Sequence, residues 1–125
     1  MEQVLVDTSI FILRGRRASI LQGKDDDTDF VISVVTYMEL LQGSRNKAET
    51  AKIEKIREAC RLVHLDLQIS EQSVSLIRQY SLSHRLQIPD ALIAATSLTL
   101  NIPLLTLNQK DFHYINGLEL YGGSR

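Results

Sequence analysis

Short apolar runs alternate with helix-like segments along the chain, and this alternation most restricts how the chain can fold. The runs at residues 3–6, 30–35, 62–65 and 104–107 are predicted strands, and 118–121 is a candidate edge strand. Strands that are separated by helices pair in parallel through right-handed crossovers. The sequence therefore predicts an α/β fold, a three-layer α/β/α sandwich around a mostly parallel sheet of four to five strands.

Each predicted helix begins at a residue that is common at helix starts. These residues are Thr8 with Ser9, Thr36, Asn46, Ser70 with Glu71, and Pro89. No repeat or change of composition divides the sequence. We therefore expect one domain over residues 1–121 and a flexible C-terminal tail at residues 122–125.

Composition restricts the possible partners. Fourteen basic and fifteen acidic residues give a formal net charge of −1, so a nucleic acid would have to be bound by local patches or through a metal ion. The single Cys60 excludes an intrachain disulfide and fits a reducing cytosol. No run of about 20 apolar residues is present, and we expect a cytoplasmic protein with no membrane association.

Three acids stand at the edges of apolar segments that should be buried. Asp7 ends the first predicted strand, Glu39 follows the second, and Asp90 opens an almost entirely apolar helix. A carboxylate that is partly removed from water is costly unless it is paired or bound to a cation, and no Lys or Arg adjoins any of the three. Because ligands bind beyond the carboxyl ends of parallel strands, these acids predict a metal site at that edge.

Four motifs, in this order, resemble those of the PIN domain, and within it VapC-type toxins of bacterial and archaeal toxin–antitoxin pairs. They are LVDTS at residues 5–9, TYMEL at 36–40, PDALIAA at 89–95 and TLNQKDF at 106–112. Each motif alone is common, but together they span nearly the whole chain, from about residue 3 to 121.

The resemblance implies a Mg²⁺-dependent endoribonuclease, with Mn²⁺ as a substitute, that cleaves RNA phosphodiester bonds with metal-activated water. It also implies a cognate antitoxin and a homodimer. Asp7, Glu39 and Asp90 match the family's three central acids, and Asp111 is our choice for the fourth. Asn108 occupies the other position where some members place an Asp. Asp7 and Asp90 would be the main ligands, Glu39 would orient water, and Asp111 would complete the site.

Neighbouring polar residues are weaker candidates. The hydroxyls of Thr8, Ser9 and Thr106 are expected chiefly to cap a helix or to bond at a strand end, and the alternative is a bond to the acids or to the substrate phosphate. Arg16 and Lys110 could contact RNA, with ordinary solvated charge as the alternative.

Three other functions compete with this interpretation. A phosphatase of the haloacid-dehalogenase type needs a second Asp where this chain has Ser9, and a phospho-acceptor receiver domain needs an acidic pair that the first strand lacks. The third is a catalytically silent PIN-like module that only binds RNA or protein. The intact Asp7, Glu39 and Asp90 argue against it, whereas Asn108 keeps it open.

Overall fold

The computed structural model describes residues 2–12 and 27–122, and its centre is a parallel sheet of four strands. The strands are β1 (Glu2–Val6), β2 (Thr28–Ser33), β3 (Arg61–Val63) and β4 (Leu104–Leu105). Their order across the sheet is β3-β2-β1-β4, and every pairing is parallel. The α/β fold with a parallel sheet is therefore confirmed.

Helices connect the strands, as the crossover topology requires. They are α1 (Ser9–Ile12), α2 (Val34–Gln42), α3 (Lys47–Ala59), α4 (Leu67–His84) and α5 (Ile88–Leu100). A short 3₁₀ turn follows at Gln109–Asp111. Within residues 2–12 and 27–122, no helix is long and apolar enough to cross a membrane.

The sheet separates two hydrophobic clusters, which accounts for the three layers. Successive residues of β1 point to opposite faces, so Leu5 enters one cluster while Val4 and Val6 enter the other. The Leu5 cluster contains the apolar faces of α4 and α5, including Ile69. The other cluster takes residues of α1, α2 and α3. Cys60 lies in it, and burial raises the pKa of its thiol to about 11, as expected for an unreactive core residue.

The register of β1 against β4 fixes the edge at which ligands would bind. Leu5 pairs with Leu104 and Val6 with Leu105, and the Asp7 amide then donates to the Leu105 carbonyl oxygen at 2.9 Å. Asp7 therefore follows the last paired residue of the central strand, at the carboxyl edge of the sheet.

The start of α2 differs from the sequence prediction. Val34 and Val35 are helical, and Ser33 rather than Thr36 caps the helix, because its Oγ accepts a hydrogen bond from the Val35 amide at 3.0 Å. The β-branched pair favours a strand, but the capping hydroxyl immediately before it ends the strand. Thr36 is therefore free to point into the protein, where it is fully buried.

Other boundaries also moved. Asp66, not Ser70, caps α4, and its Oδ1 accepts from the Ile69 amide at 2.8 Å. The C-terminal edge strand is reduced to a single bridge between Leu104 and Leu120. Arg16 and the last three residues of the predicted tail lie outside the described residues.

We expect Ser33→Ala to lower the free energy of unfolding by about 1 kcal/mol, because the hydrogen bond that caps α2 is lost. Urea unfolding measures this. The control is Ser75→Ala on the exposed surface of α4, which should change stability little. Equal stability of the Ser33 variant and the native chain would contradict the capping assignment.

Candidate active site

Asp7 is buried, with 4% of its surface exposed, and hydrogen bonds hold its carboxylate in one orientation. Thr106 Oγ1 donates to Asp7 Oδ2 at 2.8 Å, and the Ser9 amide donates to the same oxygen at 3.3 Å. A buried carboxylate needs such partners, since an unsatisfied one costs several kcal/mol, on the order of the whole stability of a small domain. Oδ2 is thus engaged by the protein.

A second set of bonds ties the segment after β4 to the start of α1. The Asn108 amide donates to Thr106 Oγ1 at 3.0 Å, and the Leu107 amide donates to Ser9 Oγ at 3.0 Å. Ser9 Oγ and Thr106 Oγ1 are also 3.3 Å apart. These hydroxyls therefore position the Asp7 carboxylate and the segment that leads to Asp111.

Glu39 projects from the middle of α2 and is held by Thr8. The Thr8 hydroxyl donates to Glu39 Oε1 at 2.7 Å and lies 3.0 Å from the Thr36 hydroxyl. Thr8 immediately follows Asp7 in the chain, so this contact places the carboxylate of α2 beside the end of β1. Glu39 is partly buried, and a cleft of about 480 Å³ that also includes Val35 opens beside it.

Asp90 lies in the first turn of α5, after Pro89, and is half-buried. The pKa of its carboxyl is raised from 3.8 to about 6, chiefly by burial. The other causes, in decreasing order, are the negative charges of Asp7, Asp111 and Glu39. The other three acids of the sequence prediction therefore all act on the Asp90 carboxyl, although the four come from separate parts of the chain.

Asp111 is more exposed than the other three acids. It ends the 3₁₀ turn and, with Lys110, lines the same cleft of about 230 Å³ as Asp90. Asn108 is exposed as well, and its backbone N–H, not its side chain, donates to Thr106 Oγ1. Of the two predicted fourth positions, Asp111 is the one whose charge acts on Asp90.

The donor chemistry fits a hard divalent cation. All four side chains offer carboxylate oxygens, the donors that Mg²⁺ and Mn²⁺ prefer. Within the described ranges, the only ion pair joins Arg45 to Glu49, so no Lys or Arg there neutralises the four acids at close range. The same residues include no group of three His, Cys, Asp or Glu side chains already gathered closely enough to hold an ion. Mutual repulsion of like charges favours such a spread when no cation is bound.

Sequence reasoning missed one group of residues that borders the cleft. His84, Arg85 and Tyr114 line it together with Asp90 and Asp111. His84 and Tyr114 are thirty positions apart and share no motif, so only the packing of α4 against the segment after the 3₁₀ turn brings them together.

The family model for the PIN domain matches residues 4–118 of this chain. A protein named Ribonuclease VapC1, from Methanocaldococcus jannaschii, is 30% identical over 125 residues, which cover 95% of this chain and 87% of that protein. The residues that the family model matches include all four acids of the site.

Two solved structures have the same fold over nearly the whole chain. The structure of VapBC-1 from nontypeable Haemophilus influenzae has a TM-score of 0.80 and 26% identity, and covers 94% of this chain and 96% of its own. A toxin–antitoxin complex from Klebsiella pneumoniae has a TM-score of 0.73 and 28% identity, and covers 92% and 94%. The topology described above is therefore shared with both.

We expect Asp90→Asn to stabilise the protein in the absence of divalent cations. The folded pKa of about 6 lies above the ordinary 3.8, so stability falls as pH rises between these values. The asparagine of the variant does not ionise, so the variant does not lose stability in this way. Above pH 6 the gain should be about 1–2 kcal/mol, less than the full linkage value of about 3 kcal/mol, because solvent screens a partly exposed carboxyl.

Urea unfolding at a series of pH values, with chelator present, measures this difference. The control is Asp29→Asn, an exposed acid at the opposite end of β2. A gain that does not decline below about pH 4, or a loss of stability at neutral pH, would contradict the assignment of the raised pKa to Asp90.

Proposed function

The chain belongs to the PIN domain family, and from this premise we propose that it is a Mg²⁺-dependent endoribonuclease, the toxin of a type II toxin–antitoxin pair. One observation carries the proposal. The carboxyl of Asp90 lines the cleft with Asp111, the charges of Asp7, Asp111 and Glu39 all act on it, and no described cation pairs with these acids. Like charges arranged in this way lower the stability of the fold, and such arrangements are typical of catalytic sites.

Asp7 and Asp90 would hold the metal ion directly. Asp7 is already oriented by Thr106, which leaves Oδ1 for a ligand, and Asp90 keeps part of its surface open to the cleft. Glu39, whose Oε1 accepts from Thr8, would orient a water molecule, the role that the family resemblance implies for it. Asp111 would complete the site from its exposed position. The ion itself would supply charge neutralisation and a more acidic water for attack on the phosphodiester, with Mn²⁺ as a substitute.

The residues of the chain have a separate task, which is to align the substrate. Bonds between the segment after β4 and the start of α1 fix the edge on which a scissile phosphate would lie. In-line attack on a phosphate depends mainly on such positioning and on charge stabilisation. Lys110 lines the cleft together with Asp90 and would bind a neighbouring phosphate, whereas Arg16 falls outside the described residues.

Protein partners also belong to the proposal. The Klebsiella pneumoniae structure is a toxin–antitoxin complex, and this supports a cognate antitoxin for this chain. Large apolar side chains of α4 remain exposed on one side of the helix, at Leu67, Val74 and Leu82. We propose that these separate apolar side chains contribute to a homodimer or an antitoxin interface in the cytoplasm.

A silent binding module is the alternative function. It would need neither the spacing nor the charge of the four acids, and their replacement by amides would leave RNA or protein binding intact.

We expect purified protein to cleave RNA with Mg²⁺ or Mn²⁺ and to stop when a chelator is added. Asp7→Asn and Asp90→Asn should each lower the cleavage rate by at least about a hundredfold, since loss of a ligand costs at least as much as loss of its supporting partner. Asp29→Asn is the control and should cleave normally. Cleavage that persists with chelator, or full activity of the Asp90 variant, would contradict the proposal.

Replacement of the two fourth-site residues separates them. We expect Asp111→Asn to lower the cleavage rate more than Asn108→Ala, because only the Asp111 charge acts on Asp90. The rates should be compared at several Mg²⁺ concentrations, since a weakened ligand is partly rescued by more metal. A larger loss in the Asn108 variant would move the fourth ligand to that position.

A further inference from the structure

Two aromatic rings from different elements are stacked at the border of the cleft that contains Asp90. The rings of His84 and Tyr114 have centroids 4.0 Å apart and are nearly parallel, with an angle of 8° between their planes. Tyr80 meets both rings edge-on, at 5.8 Å from His84 and 5.1 Å from Tyr114. His84 is exposed, so an outer part of this stack is open to solvent.

The stack is held in place before any ligand arrives. The Ser83 hydroxyl and His84 Nδ1 are 2.7 Å apart, which fixes the imidazole at the end of α4. Beneath it, the buried Tyr80 accepts a hydrogen bond from the Asn116 amide at 3.0 Å through its hydroxyl. A flat ring that is already immobilised binds a second flat ring with little loss of conformational entropy.

Two cationic side chains border the same cleft. Arg85 immediately follows His84 as the left-handed C-cap of α4, with φ of 58°, and Lys110 lies in the 3₁₀ turn. Both are exposed, and neither forms an ion pair with the residues that the structure describes. Asp90 and Asp111 would repel an approaching polyanion, so unpaired cations beside them are favourable positions for its phosphates.

We propose that His84 and Tyr114 form a stacking platform for an unpaired RNA base, and that Arg85 and Lys110 bind the phosphates next to it. This inference rests on the proposed ribonuclease function and adds the path of the substrate. The strand would cross the C-terminal end of α4, and the stacked base would hold the following phosphate against Asp90 and Asp111. Such stacking accepts any base, so the platform sets position and a preference for single strands rather than sequence.

A purely structural role for the rings makes a different prediction. If the stack only fixed α4 against the segment that contains Tyr114, replacing His84 would change stability and leave RNA affinity unchanged. Binding and unfolding must therefore be measured on the same variants, with His84→Phe included, because phenylalanine keeps a stacking face but loses the bond to Ser83.

The experiment measures binding of a fluorescent, short single-stranded oligoadenylate to the native chain in chelator. An abasic strand of equal length is the matched ligand. We expect His84→Ala to weaken oligoadenylate binding roughly 5- to 100-fold with little change for the abasic strand, and His84→Phe to retain most of the affinity. His64→Ala, at an exposed histidine after β3, is the control and should bind normally.

The charged pair is tested with Arg85→Asn, since asparagine tolerates the left-handed backbone at this position, and with Lys110→Ala. We expect each variant to bind both the oligoadenylate and the abasic strand more weakly. Each should also reduce the magnitude of the slope of log affinity against log salt concentration by about 0.7. Arg78→Ala, at an exposed arginine of α4, is the control.

The outcomes separate this inference from the function on which it rests. RNA cleavage by the native chain with unchanged oligoadenylate affinity in His84→Ala would overturn the platform and leave the ribonuclease intact. Binding that depends on His84, without any metal-dependent cleavage, would support the platform and overturn the nuclease. If the native chain bound the oligoadenylate and the abasic strand equally well, binding would depend on phosphate charge alone, and this result would also overturn the platform.

Discussion

The carboxylate of Asp7, buried at the carboxyl end of the central strand, is the constraint on which the other features of the site depend. Each hydrogen bond to a charged group contributes about 1.5–3 kcal/mol, so the bonds from Thr106 and Ser9 offset much of the cost of burying it. The same bonds fix the segment after β4, which leads to Asp111. The segment TLN at residues 106–108, which follows β4, therefore also orients the carboxylate at the end of β1.

The site contains acidic side chains that repel one another, and it is bordered by cationic side chains that attract a polyanion. Asp90 is half-buried and near three other acids, and in the folded chain it is easier to protonate than a free carboxyl. Arg85 and Lys110 stand at the edge of the same cleft without neutralising the acids through an ion pair. A divalent cation would reduce the repulsion among the acids, and an RNA phosphate would pair with Arg85 or Lys110. The net charge of −1 gives no sign of this local separation.

Much of this arrangement could be predicted from the sequence because it follows from chain connectivity. Asp7 had to lie at the carboxyl edge once the first apolar run was a parallel strand, and Asp90 had to open α5 because Pro89 fixes the first turn. The predicted start of α2 was three residues too late. Ser33 and Thr36 are both good caps, and the valines between them favour a strand.

Long-range contacts escaped prediction for a different reason. The hydroxyls of Thr8 and Thr106 were expected near the acids, but their partners depend on how α2 and β4 pack, and local spacing carries no such information. The stack of His84 on Tyr114 is the clearest case, because the two residues belong to elements without a shared period or motif. Arg85 adopts a left-handed conformation that is usual for glycine, and its side chain gave no sign of this.

Carbon-13 NMR titration of the Asp90 carboxyl, before and after addition of Mg²⁺, tests the central claim most directly. The account gives a pKa of about 6 without divalent cations, raised by burial and by the neighbouring acids, and a marked fall when excess Mg²⁺ is present. A pKa near the ordinary 3.8 in the metal-free protein, or a raised value that Mg²⁺ leaves unchanged, would contradict it.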